Sequence, residues 1–566
     1  VTTATRLPVV LLWHMHQPQY RDAFTGEYTL PWTYLHAIKD YTDMAAHLEA
    51  NPAARAVVNF TPVLIEQAEE LAGAIAAHLE RGVPLPDPVL ALLGPAAVPR
   101  EPAQRLALLR ACLRAHRVNM IERFAPYLEL ATLAETLGTP ERIAYASDQF
   151  LRDLAVWYHL AWMGETERRS NPLIERLTLR ARDFTAAEAR ELLALIGALV
   201  ARVVPRFRAL AEAGRCELSV TPYAHPIIPL LLDFSCARDA VPQMVLPGHA
   251  RYPGGEERAR WHIEEAVRTF RRAFGAAPAG CWPAEGAISE RTLQLLETVG
   301  GFRWAASGTA VLQGSLRLSD AQAADDYQSY NRPYRLPGAG MDCFFRDDRL
   351  SDLIGFTYAT WRGDDAAANL AAELAALAEH YPADGSHAVL IALDGENAWE
   401  HYPFNGYYFL QALYAALAAN PRFELLTLSQ VLARGLQARP LPRVMAGSWV
   451  YGSLATWMGE PAKNHAWDLL CEAKEAFDRT APGLAAGARE AAGQQLALCE
   501  SSDWFWWFGD YNPAEAVAQF DQLYRRQLAT LYRLLGLEPP AALAQPISAG
   551  APGSTAEHGG VMRRAS

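Results

Sequence analysis

Hydrophobic positions along this chain fall into two textures. Short apolar runs with few polar breaks occur at 8–13, 55–60, 216–220, 279–282, 302–306, 341–345 and 387–393. Runs of that length read as strands, and the unbroken 388–393 run reads as a strand buried on both faces. Between the runs lie longer segments in which Ala, Leu, Arg and Glu recur at helical spacing. The longest, from 63 to about 214, is punctuated by Pro84, Pro86, Pro88, Pro95, Pro99, Pro126 and Pro140. Most strands are separated by enough chain for a helix, which predicts an α/β architecture with a parallel sheet closed into a barrel. Residues 423–426 are a candidate eighth strand. The 63–214 segment reads as a helical insertion between the second and third strands. Amphipathic spacing over 258–274 and a Ser289 cap predict two further helices. Past 441 the helical texture returns, clearest at 461–479 and 513–535. The expected division is a barrel domain over 1–440, a helical domain over 441–538, and a disordered Ala/Gly/Pro/Ser-rich tail over 539–566.

Composition narrows the function classes. A chain of 566 residues, 51% hydrophobic and 20% charged, is a globular protein of more than one domain. No apolar run approaches the roughly 20 residues of a membrane helix. The net charge is −12 and no dense Lys/Arg stripe is present, which excludes nucleic acid as the natural partner and suits a neutral substrate. Seven scattered cysteines without a Cys-x-x-Cys pair argue against a disulfide framework or zinc ribbon. Together with the absence of a signal-peptide pattern at 1–7, they predict a reducing, cytoplasmic setting.

The chemistry collects at strand ends. The 387–393 run stops at Asp394, Gly395, Glu396 and Asn397, followed by Trp399 and Glu400. Three carboxylates there are costly to desolvate and need a compensating use; an acidic helix cap is the plain alternative. Three other strand ends deliver His14 and His16, His225, and Trp282 with Glu285. Two carboxylates from different strands can divide acid and nucleophile duties, as glycoside hydrolysis requires. Trp282, Trp399, Trp504, Trp506 and Trp507 could stack on sugar rings, although the 504–507 island reads equally well as core. Spacing leaves open whether Asp394 or Glu396 is the acid. His14, His16 and His225 also permit a zinc-dependent hydrolase, and a glucan-binding protein without activity is a further alternative. Cys281 reads as a small strand residue.

In this order, His14-Met15-His16-Gln17-Pro18, the 217–226 stretch Glu-Leu-Ser-Val-Thr-Pro-Tyr-Ala-His-Pro, Trp282-Pro283-Ala284-Glu285 and Leu393-Asp394-Gly395-Glu396-Asn397 resemble four sequence motifs of glycoside hydrolase family 57. The 502–507 island is similar to a segment of its amylopullulanase-like and α-amylase-like members. The resemblance implies an incomplete (β/α)7 barrel followed by a helical domain, and a retaining enzyme acting on α-glucan or maltooligosaccharides without a cofactor or catalytic metal. It implies Glu285 as nucleophile and Asp394 as general acid/base. His14, His16 and His225 would be subsite residues, and the Trp-rich island would close the cleft. Retention predicts carboxyl groups about 5–5.5 Å apart. The wording is nearest to the amylopullulanase-like branch, with 4-α-glucanotransferase and branching enzyme as alternatives. Tyr223 and Trp504 are expected at acceptor subsites, and Glu396, Asp352, Trp282 and Trp399 against sugar. Trp32 and Tyr34 read as core packing before cleft lining.

Overall fold

The computed structural model describes residues 6–94, 98–382 and 384–551. Its centre is seven parallel strands: β1 (Leu7–Met15), β2 (Ala56–Phe60), β3 (Cys216–Val220), β4 (Gly280–Cys281), β5 (Trp304–Gly308), β6 (Asp342–Arg346) and β7 (Val389–Asp394). Neighbours pair in order from β1 to β6, and β7 pairs with β1. A lone Arg346–Leu390 pairing joins β6 to β7 and closes the ring, as a lone Val220–Cys281 pairing joins β3 to β4. This is the expected incomplete (β/α)7 barrel. Phe423–Leu425 does form a strand, but it pairs with the start of β1 and stays off the ring. Two further strands, Tyr334–Arg335 and Arg439–Pro440, are two residues each and too short to leave a period in the sequence.

Alternation along the strands decides which side chains reach the site. On β1 and β7, Val9, Leu11 and Trp13 with Val389, Ile391 and Leu393 pack outward in the large core shared with the helices. Val10, Leu12, Leu390 and Ala392 pack inward with Val57, Trp304 and Phe344. Extending the inward set by one step brings in His14, Asn59, Arg346 and Asp394. His14 pairs in register with both Asn59 and Asp394. The apolar filling of the barrel thus gives way to a polar layer at the C-terminal ends of the strands.

The insertion between β2 and β3 is helical, as expected. It opens with Pro62–Arg81, which has proline at its first turn and the left-handed Gly82 at its end. It closes with Ala186–Glu212, started by a capping box between Thr185 and Glu188. The C-terminal region contributes Pro461–Thr480, Ala486–Cys499, Ser502–Trp507 and Ala514–Leu534. Glu500 fastens this region to the helix Gly255–Phe274: its buried carboxylate accepts from Tyr252 Oη at 2.6 Å, Arg258 Nη2 at 2.8 Å and His262 Nε2 at 2.7 Å. Burial alone would raise the Glu500 pKa, but Arg258 and His262 hold it down at about 2. Its stabilisation is therefore present above the ordinary carboxylate range and is lost as pH falls through about 2. Glu500→Ala leaves Arg258 buried without its partner, and we expect a loss of about 3–5 kcal/mol in denaturant unfolding.

The expected disordered tail is ordered to 551. Asp521 accepts from the backbone N–H groups of Ile547 and Ser548, and Ala551 donates to Asn512, so composition was outweighed by tertiary hydrogen bonds. Residues 552–566 of that expectation lie outside the described residues. No helix among the described residues is long and apolar enough to cross a membrane.

Candidate active site

A cavity of about 890 Å³ opens over the polar end of the barrel. Glu285 and Asp394, from the strand ends of β4 and β7, both line it. The Glu285 backbone is left-handed (φ 55°), unfavourable for a side chain with a Cβ. Trp449 holds it there: its backbone N–H donates to the Glu285 carbonyl at 3.1 Å and its indole N–H to Glu285 Oε2 at 3.0 Å. Arg346 stacks on Trp449 with its guanidinium 4.5 Å from the ring centroid, and it also binds Asp348 and the Ala392 carbonyl. A Cβ at Gly308 would lie 2.8 Å from Trp449 Cα, so only glycine admits this approach. Asp394 accepts from Asn397 Nδ2 at 2.8 Å. Next to it, a Cβ on Gly395 would collide with Met15 Sδ.

Both carboxyls are pushed toward the protonated form. Burial, and then the charge of Asp394, raise Glu285 to about 8, while the Trp449 N–H works in the opposite direction. Burial raises Asp394 to about 6, offset by Asn397, His16 and Arg346. At neutral pH the pair therefore shares one proton, and the two ionisations belong to the pair.

The histidines form a directed chain. His14 Nδ1 faces Asn59 Oδ1 at 2.7 Å, an acceptor, so Nδ1 carries the hydrogen. His14 Nε2 must then accept from His225 Nε2, 3.1 Å away, and His225 Nδ1 accepts from Ser502 Oγ at 2.8 Å. Burial and the nearby imidazoles keep both rings neutral, with His14 lowered to about 3 and His225 also well below its usual value. His16 Nε2 contacts Asp503 at 2.9 Å, and its Nδ1 lies 3.2 Å from Thr61 Oγ1. His16, His225 and Asp503 each offer a donor atom within 4.8 Å of the others, the one such group near the cavity among the described residues. The His16 and His225 rings are stacked at 3.8 Å with 16° between planes, so their in-plane lone pairs do not converge. With every ring nitrogen already engaged, this set does not fit a three-ligand zinc centre without rearrangement.

Of the residues expected here, His14, His16, Glu285, Asp352, Asp394 and Glu396 line the cavity. Asp352 lies 3.6 Å from Arg346. The other five do not line it. His225 stands behind His14 as its partner. Tyr223 donates to Glu66 at 2.7 Å and packs edge-on against Trp261. Trp282 points inward and is sealed beneath Trp449. Trp399 folds back to donate to the Gly395 carbonyl, edge-on to Trp13. Trp504 stacks on Tyr524 inside the helical region. The helix Ser502–Trp507 explains that last difference: at helical spacing, Asp503, Trp506 and Trp507 share the cavity face, while Trp504 and Phe505 face the core. Trp32 lines the cavity, whereas Tyr34 is core and contacts His159. Arg346, Asp348, Asp503 and Trp449 were not singled out from the sequence. Inward parity after Phe344 marks Arg346, but Trp449 sits in an aperiodic loop that carries no signal.

Comparison with known proteins follows this geometry. The model of glycosyl hydrolase family 57 matches residues 10–442. A GH57-type branching enzyme from Pyrococcus horikoshii is similar at a TM-score of 0.56 and 15% identity, covering 98% of each chain. A GH57 branching enzyme from Thermococcus kodakaraensis gives 0.55 and 16%, covering 93% of this chain and 90% of that one. An α-amylase from Thermotoga maritima gives 0.54 and 14%, covering 94% of each. At these identities the likeness is one of fold. A comparison with curated proteins found no match.

Proposed function

Because the chain belongs to glycosyl hydrolase family 57, a family of enzymes acting on glycosidic bonds, we propose that it is a retaining α-glucan enzyme in which Glu285 is the nucleophile and Asp394 the general acid/base. The observation that carries this reading is that two separate strand ends bring two mutually interacting carboxyls, Glu285 and Asp394, to one cavity beside His14 and His16. Glu285 attacks the anomeric carbon as Asp394 protonates the departing oxygen, which leaves a glycosyl ester on Glu285. Asp394 then takes a proton from water or an acceptor sugar, whose oxygen displaces Glu285. This cycle needs the shared proton on Asp394 and an ionised Glu285. Positive charge developing at the anomeric carbon favours the Glu285 carboxylate and so draws the proton across the pair.

The cycle requires the pair to hold one proton, so kcat/KM should be bell-shaped, with limbs near pH 6 and 8. A flat profile between pH 5 and 9 would contradict it. In the reading favoured here the enzyme cleaves α-1,4 or α-1,6 bonds, as an amylopullulanase or α-amylase does. Chromatography of products from maltooligosaccharides, amylose and pullulan tests it: shorter products mark hydrolysis, longer ones 4-α-glucanotransfer, and new α-1,6 links branching. Activity is expected to survive a strong chelator, because the imidazoles are engaged with one another; loss of activity restored by Zn²⁺ would favour the metal mechanism.

A further inference from the structure

The loop that brings Trp449 to Glu285 runs straight into a tight reverse turn, Val450-Tyr451-Gly452-Ser453, closed by the Ser453 N–H donating to the Val450 carbonyl at 3.3 Å. Both central residues are left-handed, with φ 55° at Tyr451 and 66° at Gly452. Two successive left-handed residues are the mark of a type I′ turn, whose first central position suits Asn, Asp or Gly. Tyrosine has no side-chain atom that relieves this conformation, so its backbone is strained there. Strain of this kind collects at functional sites, where the surrounding structure over-determines it.

The backbone around this turn is pinned, while the side chain of Tyr451 is not. Gly447 donates to the Ile288 carbonyl at 3.1 Å and accepts from the Ile288 N–H at 2.9 Å, which ties the loop to the segment carrying Glu285. Ser448 Oγ accepts from the Val450 N–H and donates to the Ser453 carbonyl, each at 3.0 Å, and so fastens the base of the turn. Gly452 sits against Ala310, just past the end of β5: a Cβ on it would lie 2.8 Å from Ala310 Cβ. The Tyr451 ring, by contrast, is 51% exposed and lines the cavity beside Trp449, Val450 and Ala310. Among the described residues it stacks on no ring or cation, and its hydroxyl has no hydrogen-bond partner. No such contact offsets the strain at this position.

We propose that Tyr451 is a substrate-positioning residue: its ring is the platform for a glucosyl unit of the α-glucan chain next to the unit that Glu285 attacks. The inference rests on the α-glucan reading above. A pyranose ring presents an apolar C–H face that an exposed aromatic ring matches. Trp449, two residues earlier, holds Glu285 through both its carbonyl and its Oε2, so one short loop sets the nucleophile and the platform in fixed register. A ring carried on a pinned turn also loses little freedom when sugar binds. Asparagine would satisfy the turn equally well and leave the cavity without the ring, so this one substitution separates the demands of the fold from those of the substrate.

Kinetics on maltooligosaccharides of two to seven units and on α-glucosyl fluoride, with a thermal melt for each variant, test the platform. Tyr451→Asn should raise KM for the longer maltooligosaccharides about three- to tenfold with a much smaller change in kcat. Its loss of kcat/KM should be larger on them than on the fluoride, whose single sugar cannot reach a neighbouring position. Its melting temperature should equal or exceed that of the unaltered protein, because the strained residue is gone. Tyr451→Phe, which keeps the ring, should retain most of the affinity. The platform is overturned if Tyr451→Asn leaves KM unchanged, or if Tyr451→Phe is as damaging as Tyr451→Asn. Equal losses on both kinds of substrate would overturn it too, since they would mean that the residue acts through Glu285, and so would a lowered melting temperature, which would mean a packing role. If the unaltered protein turns over no maltooligosaccharide at all, the α-glucan reading fails first and takes the platform with it.

Discussion

Replacing Glu285 by Gln or Asp394 by Asn should lower kcat on maltooligosaccharides by about 10⁴-fold or more, with little change in the melting temperature. Both side chains lie at the cavity wall and neither anchors the core. The two losses should differ in kind. A substrate with a good leaving group needs no proton from Asp394, so Asp394→Asn should recover its first step on a glucosyl fluoride, and Glu285→Gln should not. Added azide separates the roles further. In Glu285→Gly it should attack from the vacated face and yield the inverted β-glucosyl azide. In Asp394→Gly it should intercept the glycosyl-enzyme and yield the retained α-product. The same anomer from both variants would show that the roles are misassigned.

The second large effect concerns a residue that touches the reaction only through Glu285. Trp449→Phe keeps the ring under Arg346 but deletes the 3.0 Å N–H donor to Glu285 Oε2. A hydrogen bond to a charged group contributes about 1.5–3 kcal/mol, so kcat/KM should fall about 10- to 100-fold. The pH profile carries the diagnostic. Because that donor favours ionised Glu285, losing it raises the pair's upper ionisation, and the alkaline limb should move upward from about 8. A merely structural role for Trp449 would lower activity without moving the limb.

These contrasts also mark what the chain's pattern discloses. The strand cores, the insertion and the polar strand ends were legible, because period-two burial and long apolar runs are local properties. Glu285 and Asp394, which both line the cavity, stood out because each follows closely on such a run. The aromatic expectations failed where they depended on direction: Trp282, Trp399 and Trp504 occupy the predicted segments, yet alternation, a backbone fold-back and helical phase turn them into the core. Trp449 and the Glu500 clamp depend on contacts between segments 164 and 242 residues apart, which no local pattern records. The π-helical turn at Ala37–Tyr41 was equally silent, since its residues include no Gly or Pro to mark a break in the helix.

Trapping the intermediate tests the central assignment most directly. The protein would be incubated with a 5-fluoro-α-glucosyl fluoride, which forms the glycosyl ester readily and releases it slowly, then digested and its peptides mapped by mass spectrometry. The account predicts one added fluoroglucosyl group, on Glu285, at near-stoichiometric occupancy, and none in Glu285→Gln. A label on Asp394 or Glu396, or turnover of the probe with inversion and no adduct, would contradict it.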